Sequence, residues 1–305
     1  MKVSNVSWHK RGWIFLFLLP FALFADDLNR NLECPIPGKE KLRIFSYNIL
    51  EGFSHQTDQD RMNRVAEWVK SKSPDIIALQ ELNSFSSANL SSLAKQWGHP
   101  YSAIVKERRG CPVGITSKYP IEVKNKIVRG FWHGVLHVRI KDFDILVTHL
   151  NPCTCMGRLV EADKIVNYAK GIKNDKILLM GDLNSHSPFD ADYMEEHATE
   201  FREKYYGANL VGNEIDYSAI ARLLSFPFYD LCYRFVPPER RATFPALIQR
   251  HIPKSDIARR RVGERLDFLF GTLAVRKITV EGFIMNGEDT GYLSDHYPIG
   301  VDLLY

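Results

Sequence analysis

Residues 177–188 read ILLMGDLNSHSP, four apolar residues and a glycine followed by Asp182 and Asn184. The apolar run is too short for a helix and reads as a buried strand. It therefore delivers a carboxylate and an amide to the edge of a sheet. Three other stretches follow the same plan. SYNILEG (46–52) carries Asn48, IIALQELN (76–83) carries Glu81, and SDHYPIGVDL (294–303) sets Asp295 and His296 just before a strand. One such segment carries little weight. Four in chain order, rich in oxygen ligands of the Mg²⁺ type, predict a single assembled pocket.

The rest of the chain supplies the scaffold. Strands are expected at Leu42–Tyr47, Asp75–Leu79, Val113–Ser117, Val135–Ile140, Ile145–Leu150, Ile177–Met180, Arg265–Phe270 and Pro298–Leu304. Met62, Val65, Ala66 and Val69 recur at helical spacing over Asp60–Ser71, which Pro74 closes; further helices are expected at Ser91–Trp97 and Arg158–Ile172. Residues 190–235 read as helical and irregular. Helices alternating with mixed strands predict an α/β sandwich rather than a simple doubly wound sheet. No GxGxxG and no P-loop occurs, so nothing suggests a dinucleotide or nucleoside triphosphate fold.

With 305 residues, 45% of them hydrophobic, the chain can bury one large core, and the motifs leave no room for a second domain. Lys2, His9, Lys10 and Arg11 precede an uncharged Leu/Phe-rich run from Gly12 to Phe24. That run is shorter than a membrane span and contains Pro20, which predicts a cleavable leader over 1–25 and a secreted or periplasmic protein. An uncleaved, membrane-anchoring signal is the alternative. Residues 26–41, with Pro35, Pro37 and Gly38, read as a linker or arm, and 42–305 as the folded domain. The net charge of +4 falls to +1 without the leader, which holds three basic and no acidic residues. Binding of a polyanion must then rest on a local patch. All five cysteines lie beyond the leader, and the odd number leaves at least one outside any intramolecular disulfide. Cys153 and Cys155, in HLNPCTC, lack the second pair of a zinc site; a disulfide from one of them, bracing the loop, is expected instead.

Phosphodiester hydrolysis needs a divalent ion to neutralise charge, an activated water and stabilisation of the leaving oxygen. Glu81, leaving the sheet after DIIALQ, suits the ion. Asp182 and Asn184 flank Leu183, so in an extended stretch both point the same way and can share one water. The blander reading is an Asx-turn. His296 needs a partner to fix its tautomer, and Asp267 in RLDFLF, expensive to bury alone, answers that need. The competing reading pairs Asp267 with Arg265. His149, ending LVTHL, is alone no more than a core histidine.

In order and spacing these motifs resemble the endonuclease/exonuclease/phosphatase superfamily, the deoxyribonuclease I-like metal-dependent hydrolases, over about residues 42–305. The resemblance implies a four-layer α/β sandwich, two mixed sheets face to face and flanked by helices, with a site for Mg²⁺ or Mn²⁺ between them. By motif match Asn48 and Glu81 would hold metal and phosphate, with Asp295 aiding the metal or the water. Asp182 and Asn184 would activate the water. His149, with the neighbouring Asn151, would contact the phosphate. His296, held by Asp267, would stabilise the pentacovalent phosphate or act as base. The first motif lacks the Asn-Gly-Leu-Arg continuation of abasic-site endonucleases, and GDLNSHSP lacks the Asn-Tyr-Arg of inositol polyphosphate 5-phosphatases.

Substrate clues are local. Arg250, Lys254, Arg259, Arg260, Arg261 and Arg265 precede Asp267, and this run is expected at the rim, where Arg259, Arg260 and Arg261 would cradle further phosphates. Phe131, Trp132 and His133 are candidate stackers on a base. The expectation is a monomeric, exported phosphodiesterase of nuclease type. A sphingomyelinase-like hydrolase acting on a lipid head group and a non-enzymatic binding module are the alternatives.

Overall fold

Strand alternation decides which side chains meet. The computed structural model describes residues 39–106, 110–204, 209–248 and 263–305. The expected leader and all but the end of the expected arm lie outside the described residues, as do Arg250, Lys254, Arg259, Arg260 and Arg261. The first half runs β1 (Lys41–Asn48), α1 (Leu50–Gln56), α2 (Gln59–Lys72), β2 (Ile76–Gln80), α3 (Ser87–Gln96), β3 (Tyr101–Ile104), β4 (Gly114–Ser117), β5 (Glu122–Ile127), β6 (Val135–Ile140) and β7 (Phe143–His149). Then come α4 (Cys155–Ala169), β8 (Ile177–Asp182), α5 (Ala191–Glu196), α6 (Ala198–Lys204), β9 (Leu210–Val211), β10 (Glu214–Ile215), α7 (Ser218–Ser225) and β11 (Tyr229–Asp230). β12 (Asp267–Gly271), a short helix at Leu273–Ile278, β13 (Thr279–Ile284) and β14 (Ile299–Leu304) follow.

Two six-stranded mixed sheets result, ordered β13-β14-β1-β2-β4-β3 and β11-β12-β8-β7-β6-β5. Their only parallel pairs are β1 with β2 and β7 with β8. Leu42, Ile44, Ile76, Ala78 and Val301 of the first sheet pack on Ile145, Val147, Leu178, Met180 and Leu269 of the second. The opposite face of the first sheet, with Phe45, Tyr47, Ile77 and Leu79, is covered by Val65 and Val69 of α2 and Leu90 and Leu93 of α3. Leu146, Leu179, Phe268 and Phe270 are covered by α4 and α7. The expected four-layer sandwich is the observed fold.

Because side chains alternate along a strand, the residues that continue the inner faces are fixed by parity. Asn48 continues Leu42 and Ile44, and His149 continues Ile145 and Val147. Asp182 continues Leu178 and Met180, and Asp267 shares its face with Leu269. All four therefore lie between the sheets, at strand ends where the apolar filling stops.

The helices have local causes. Asp58 caps α2 by accepting from the Arg61 N–H, and Ser73, at φ +52°, ends it. Thr154 caps α4 by accepting from the Gly157 N–H. α1 is unusual. Leu50, Glu51, Phe53, Ser54 and Gln56 all have positive φ, a left-handed turn that costs L-residues about 1–2 kcal/mol each. Gly52 sits inside it at φ +54°, and a Cβ there would lie 2.4 Å from the Asn83 carbonyl oxygen.

Among the described residues no disulfide joins two cysteines, and Cys34 lies outside them. The loop is braced otherwise. Cys153 is exposed, while Cys155 turns inward with its Sγ 3.3 Å from Arg158 Nη2. The Asn151 carboxamide oxygen accepts from the backbone N–H groups of Cys153 (2.8 Å) and Thr154 (3.1 Å).

Between the paired strands β1 and β14, fully buried Asp302 receives Arg43 through Nε and Nη2, both at 2.8 Å, and Lys41 at 2.9 Å. Burial pushes its carboxyl up, but the Arg43 hydrogen bonds and then Lys41 outweigh this and lower its pKa. A depressed folded-state pKa gives stability that is present above the ordinary carboxylate range and lost as pH falls through the folded value. Asp302→Asn should cost about 2 kcal/mol at neutral pH, allowing for the partial exposure of Arg43 and Lys41. In thermal unfolding, the gap to wild type should narrow on acidification below about pH 4. A gap that does not change with pH would contradict the assignment.

Candidate active site

Asp182 is the centre of the strand-end cluster. The register sets it directly opposite His149 on β7 and opposite Asp267 on β12, three polar groups in a row across one sheet. Its Oδ2 accepts from Asn48 Nδ2 (3.0 Å), which reaches over from the other sheet. The same oxygen lies 3.3 Å from His149 Nε2 and 3.6 Å from His296 Nε2. A close approach of backbones permits the pairing with β7: at Gly181, φ +148°, a Cβ would stand 1.8 Å from the Thr148 carbonyl oxygen.

Asn184 departs from the extended geometry expected of GDLN. It has φ +48°, and its N–H donates to Asp182 Oδ1 at 2.9 Å, an Asx-turn. The two side chains are thus not parallel. Asn184 Nδ2 donates to the Leu150 carbonyl instead, at 3.0 Å. The chain turns because Leu183 N–H bonds Leu266 O and draws the segment over the end of β12.

His296 Nδ1 lies 2.7 Å from Asp267 Oδ2, the pairing expected from sequence. Arg265 is not the partner. Its guanidinium is buried in ion pairs with Asp190 and Asp230, each at 2.7 Å, and so contributes nothing to an arginine-rich rim. Burial works against a charged His296, but Asp267 and then Asp182 overcome it and raise its pKa well above the usual value. Asp267 is itself fixed from behind, where Thr243 Oγ1 accepts from the Leu266 and Asp267 N–H groups. Phe244, the next residue, packs on the His296 ring with centroids 4.9 Å apart.

Glu81 is carried at φ +58° on the turn after β2. Its Oε1 accepts from Asn48 Nδ2 (3.1 Å) and its Oε2 from the Glu51 N–H (2.7 Å). Asn48 accordingly gives its NH₂ to two carboxylates, while its oxygen accepts from the Leu50 N–H. Asp295 joins this group through Ser294, whose hydroxyl donates to the Asn48 carbonyl at 2.7 Å. Its carboxyl is pushed up to about 6, by burial first and, against His296, by Glu81 and Asp182. Asp182, Asp267 and His296 each present one ligand atom within 4.8 Å of the others, a group that could hold a metal ion.

The sequence reading missed the supports. Arg61 of α2 is fully buried and donates to the carbonyls of Ile49 (2.7 Å), Leu50 (2.9 Å) and Leu293 (3.2 Å). It thereby ties the left-handed turn behind Asn48 to the loop before Asp295. Glu161 of α4 accepts from the N–H groups of Trp132 (2.5 Å) and Asn151 (2.8 Å). Only the polar side chain inside an otherwise apolar helix face could have signalled either one. Of the three expected stackers, Trp132 is 53% exposed, Phe131 is partly buried on the α4 side, and His133 is buried.

Replacing Asp267 by Asn removes the strongest influence raising the His296 pKa. The imidazole should then titrate at lower pH than in wild type, measured by histidine NMR. An unmoved midpoint would show that the 2.7 Å contact is not an ionic coupling.

Among solved structures the chain is similar to an AP endonuclease from Archaeoglobus fulgidus, at 18% identity and TM-score 0.63, with 85% of this chain and 98% of that one covered. It is also similar to the 3′ phosphatase NExo from Neisseria bound to a product DNA hairpin, at 14% identity and TM-score 0.63, covering 86% and 99%. The 3′-5′ exonuclease NExo from Neisseria meningitidis gives 14% identity and TM-score 0.62 over the same shares. These likenesses concern the fold. No curated protein matches the chain. The profile of the Endonuclease/Exonuclease/phosphatase family matches residues 45–296, from β1 to His296, and the chain belongs to that family.

Proposed function

We propose that the protein is a hydrolase of phosphodiester bonds in nucleic acid, dependent on a divalent cation, Mg²⁺ or Mn²⁺. One observation carries the reading: Asp182 Oδ2 stands within 3.6 Å of both His149 and an Asp267-bound His296. A carboxylate between two imidazoles can take a proton from water while the imidazoles meet the phosphate.

The residues suit a hard cation. Glu81, Asp182 and Asp295 are mutually repelling carboxylates, and burial first, then Glu81 and Asp182, raise the Asp295 pKa against His296. This oxygen-rich set is a better candidate than Asp182, Asp267 and His296, because Asp267 holds the His296 imidazole protonated. Ligation through the Asn48 oxygen would require its amide to rotate and release the Leu50 N–H. When bound, the ion supplies charge neutralisation at the phosphate. Asp182 is placed to deprotonate the attacking water, and Asn184, held to Leu150, fixes the turn that carries Asp182. His149 Nε2 meets a phosphate oxygen. As the bond from phosphorus to the leaving oxygen breaks, the His296 imidazolium donates its Nε2–H to that oxygen, and Asp267 fixes its orientation.

Similarity to proteins solved as DNA-processing enzymes supports nucleic acid as the substrate class. A second reading, a phosphoester with an apolar group, is favoured by the exposed Trp132, Met156 and Val160 beside a cleft of about 370 Å³. Export of the protein belongs to the same proposal, and N-terminal sequencing of material from the medium or periplasm tests it.

Purified protein should cleave bis-p-nitrophenyl phosphate with Mg²⁺ or Mn²⁺ and stop on addition of EDTA. Asp182→Ala and His296→Ala should each lower kcat by about 100-fold or more. Lack of turnover with either metal across DNA, RNA and sphingomyelin would sink the reading. Replacing Arg259, Arg260 and Arg261 together by Ala should weaken nucleic-acid cleavage and flatten its salt dependence; undiminished cleavage would remove the arginine run from the substrate site.

A further inference from the structure

His133 is a buried imidazole that the mechanism above does not use. It is 4% exposed, and its ring lies nearly parallel to that of His149, with centroids 4.2 Å apart and planes 21° apart. Its Nε2 is buried and has no hydrogen-bond partner among the described residues, and the same holds for His149 Nδ1. Structural histidines in this protein behave differently. His99 engages Thr116 and Pro74 through its two ring nitrogens, and His137 engages Tyr168 and Asp144. His186 also leaves one nitrogen open, but it packs on Phe201 and pairs with Glu264. An open polar atom on a buried ring is destabilising, so a native fold retains one where something else completes it.

The chain takes trouble to bring His133 here. Parity counted back from Val135, which faces α4, would send residue 133 to the helix side of the sheet. Gly134, at φ +107°, interrupts that alternation. A side chain at Gly134 would crowd Val105 at 3.1 Å and the Ile127 carbonyl oxygen at 3.2 Å. Glu161 then pins the loop, with one carboxylate oxygen on the Trp132 N–H and the other on the Asn151 N–H. The same carboxylate therefore holds the residue before His133 and the turn after His149. Burial first, then His149 and Lys106, push the His133 pKa down to about 2, so the ring is neutral and retains one N–H.

We infer that His133 is a second histidine of the phosphate pocket, donating through its open nitrogen to a non-bridging phosphate oxygen beside His149. The inference rests on the phosphoesterase reading for the identity of the ligand, but binding can be measured without turnover. The probe is inorganic phosphate, added to the full protein with Mg²⁺. In wild type, the imidazole ¹⁵N resonances of His133 and His149 should shift together along one saturation curve.

Two variants separate hydrogen bonding from stacking. His133→Phe keeps a ring over His149 and removes the nitrogen, whereas His133→Gln keeps an N–H and removes the ring. His133→Phe should weaken phosphate binding and raise KM for bis-p-nitrophenyl phosphate by about tenfold with kcat little changed, while His133→Gln should stay within about threefold of wild type. Wild-type affinity in His133→Phe would overturn the inference, as would a loss in His133→Gln equal to that in His133→Phe. An unmoved His133 resonance in wild type would do the same even if both variants fold poorly. Failure of hydrolysis with phosphate binding intact would instead remove the phosphoesterase reading and leave the anion contact standing.

Discussion

Glu81, Asp182, Asp267 and Asp295 are drawn into one end of the gap between two sheets, and the surrounding structure is organised around their mutual repulsion. Buried like charges are tolerated only when other groups answer them. Here Asn48 turns its NH₂ toward Glu81 and Asp182, while backbone N–H groups of Glu51 and Asn184 cover further oxygens. Among the described residues His296 supplies a firm positive charge. The left-handed turn at Leu50–Ser54 belongs to the same compromise, since it aims the Glu51 N–H at Glu81. Strain and repulsion gathered at one site indicate a place shaped for binding rather than for stability.

Each half of the site is braced by one buried arginine from the helix layer behind it. Arg61 on α2 holds carbonyls around Asn48 and Asp295. Arg158 on α4 reaches the Asn151 carbonyl at 3.2 Å and Asn209 at 2.5 Å, beside the turn that follows His149. A guanidinium suits the task because its planar donors satisfy several diverging carbonyls at once. Loops that carry polar functional groups beyond the strand ends are thereby tied to the helix layer.

Much of this was legible in the sequence because strands impose a period of two. The apolar residues of ILLM set which face of β8 is inward, and Asp182 falls on it; the same counting holds for Asn48, His149 and Asp267. The His296–Asp267 pairing followed from the cost of burying either group alone. What failed was local. Asn184 was read as extended because an Asx-turn and a short strand extension share the same residues, and only the pull of Leu266 on Leu183 decides between them. Thr154, between Cys153 and Cys155, was not read as the helix cap that it is. Arg265 was placed at the rim because its ion partners, Asp190 and Asp230, are distant in sequence. His133 was read as a candidate stacker on a base, since alternation gives no warning of a reversal at Gly134.

The order of these groups along the chain has a consequence for the protein's assembly. Asn48 lies at the end of β1, whereas His296 precedes β14, and β1 lies between β14 and β2 in the first sheet. Contacts so far apart in sequence form slowly, because a long loop must close before they are rewarded. A ribosome releases Asn48, Glu81 and Asp182 long before it releases His296. The growing polypeptide therefore holds the acidic half of its chemistry without the imidazolium that completes it. The strand-end cluster is complete only once the segment before β14 is in place.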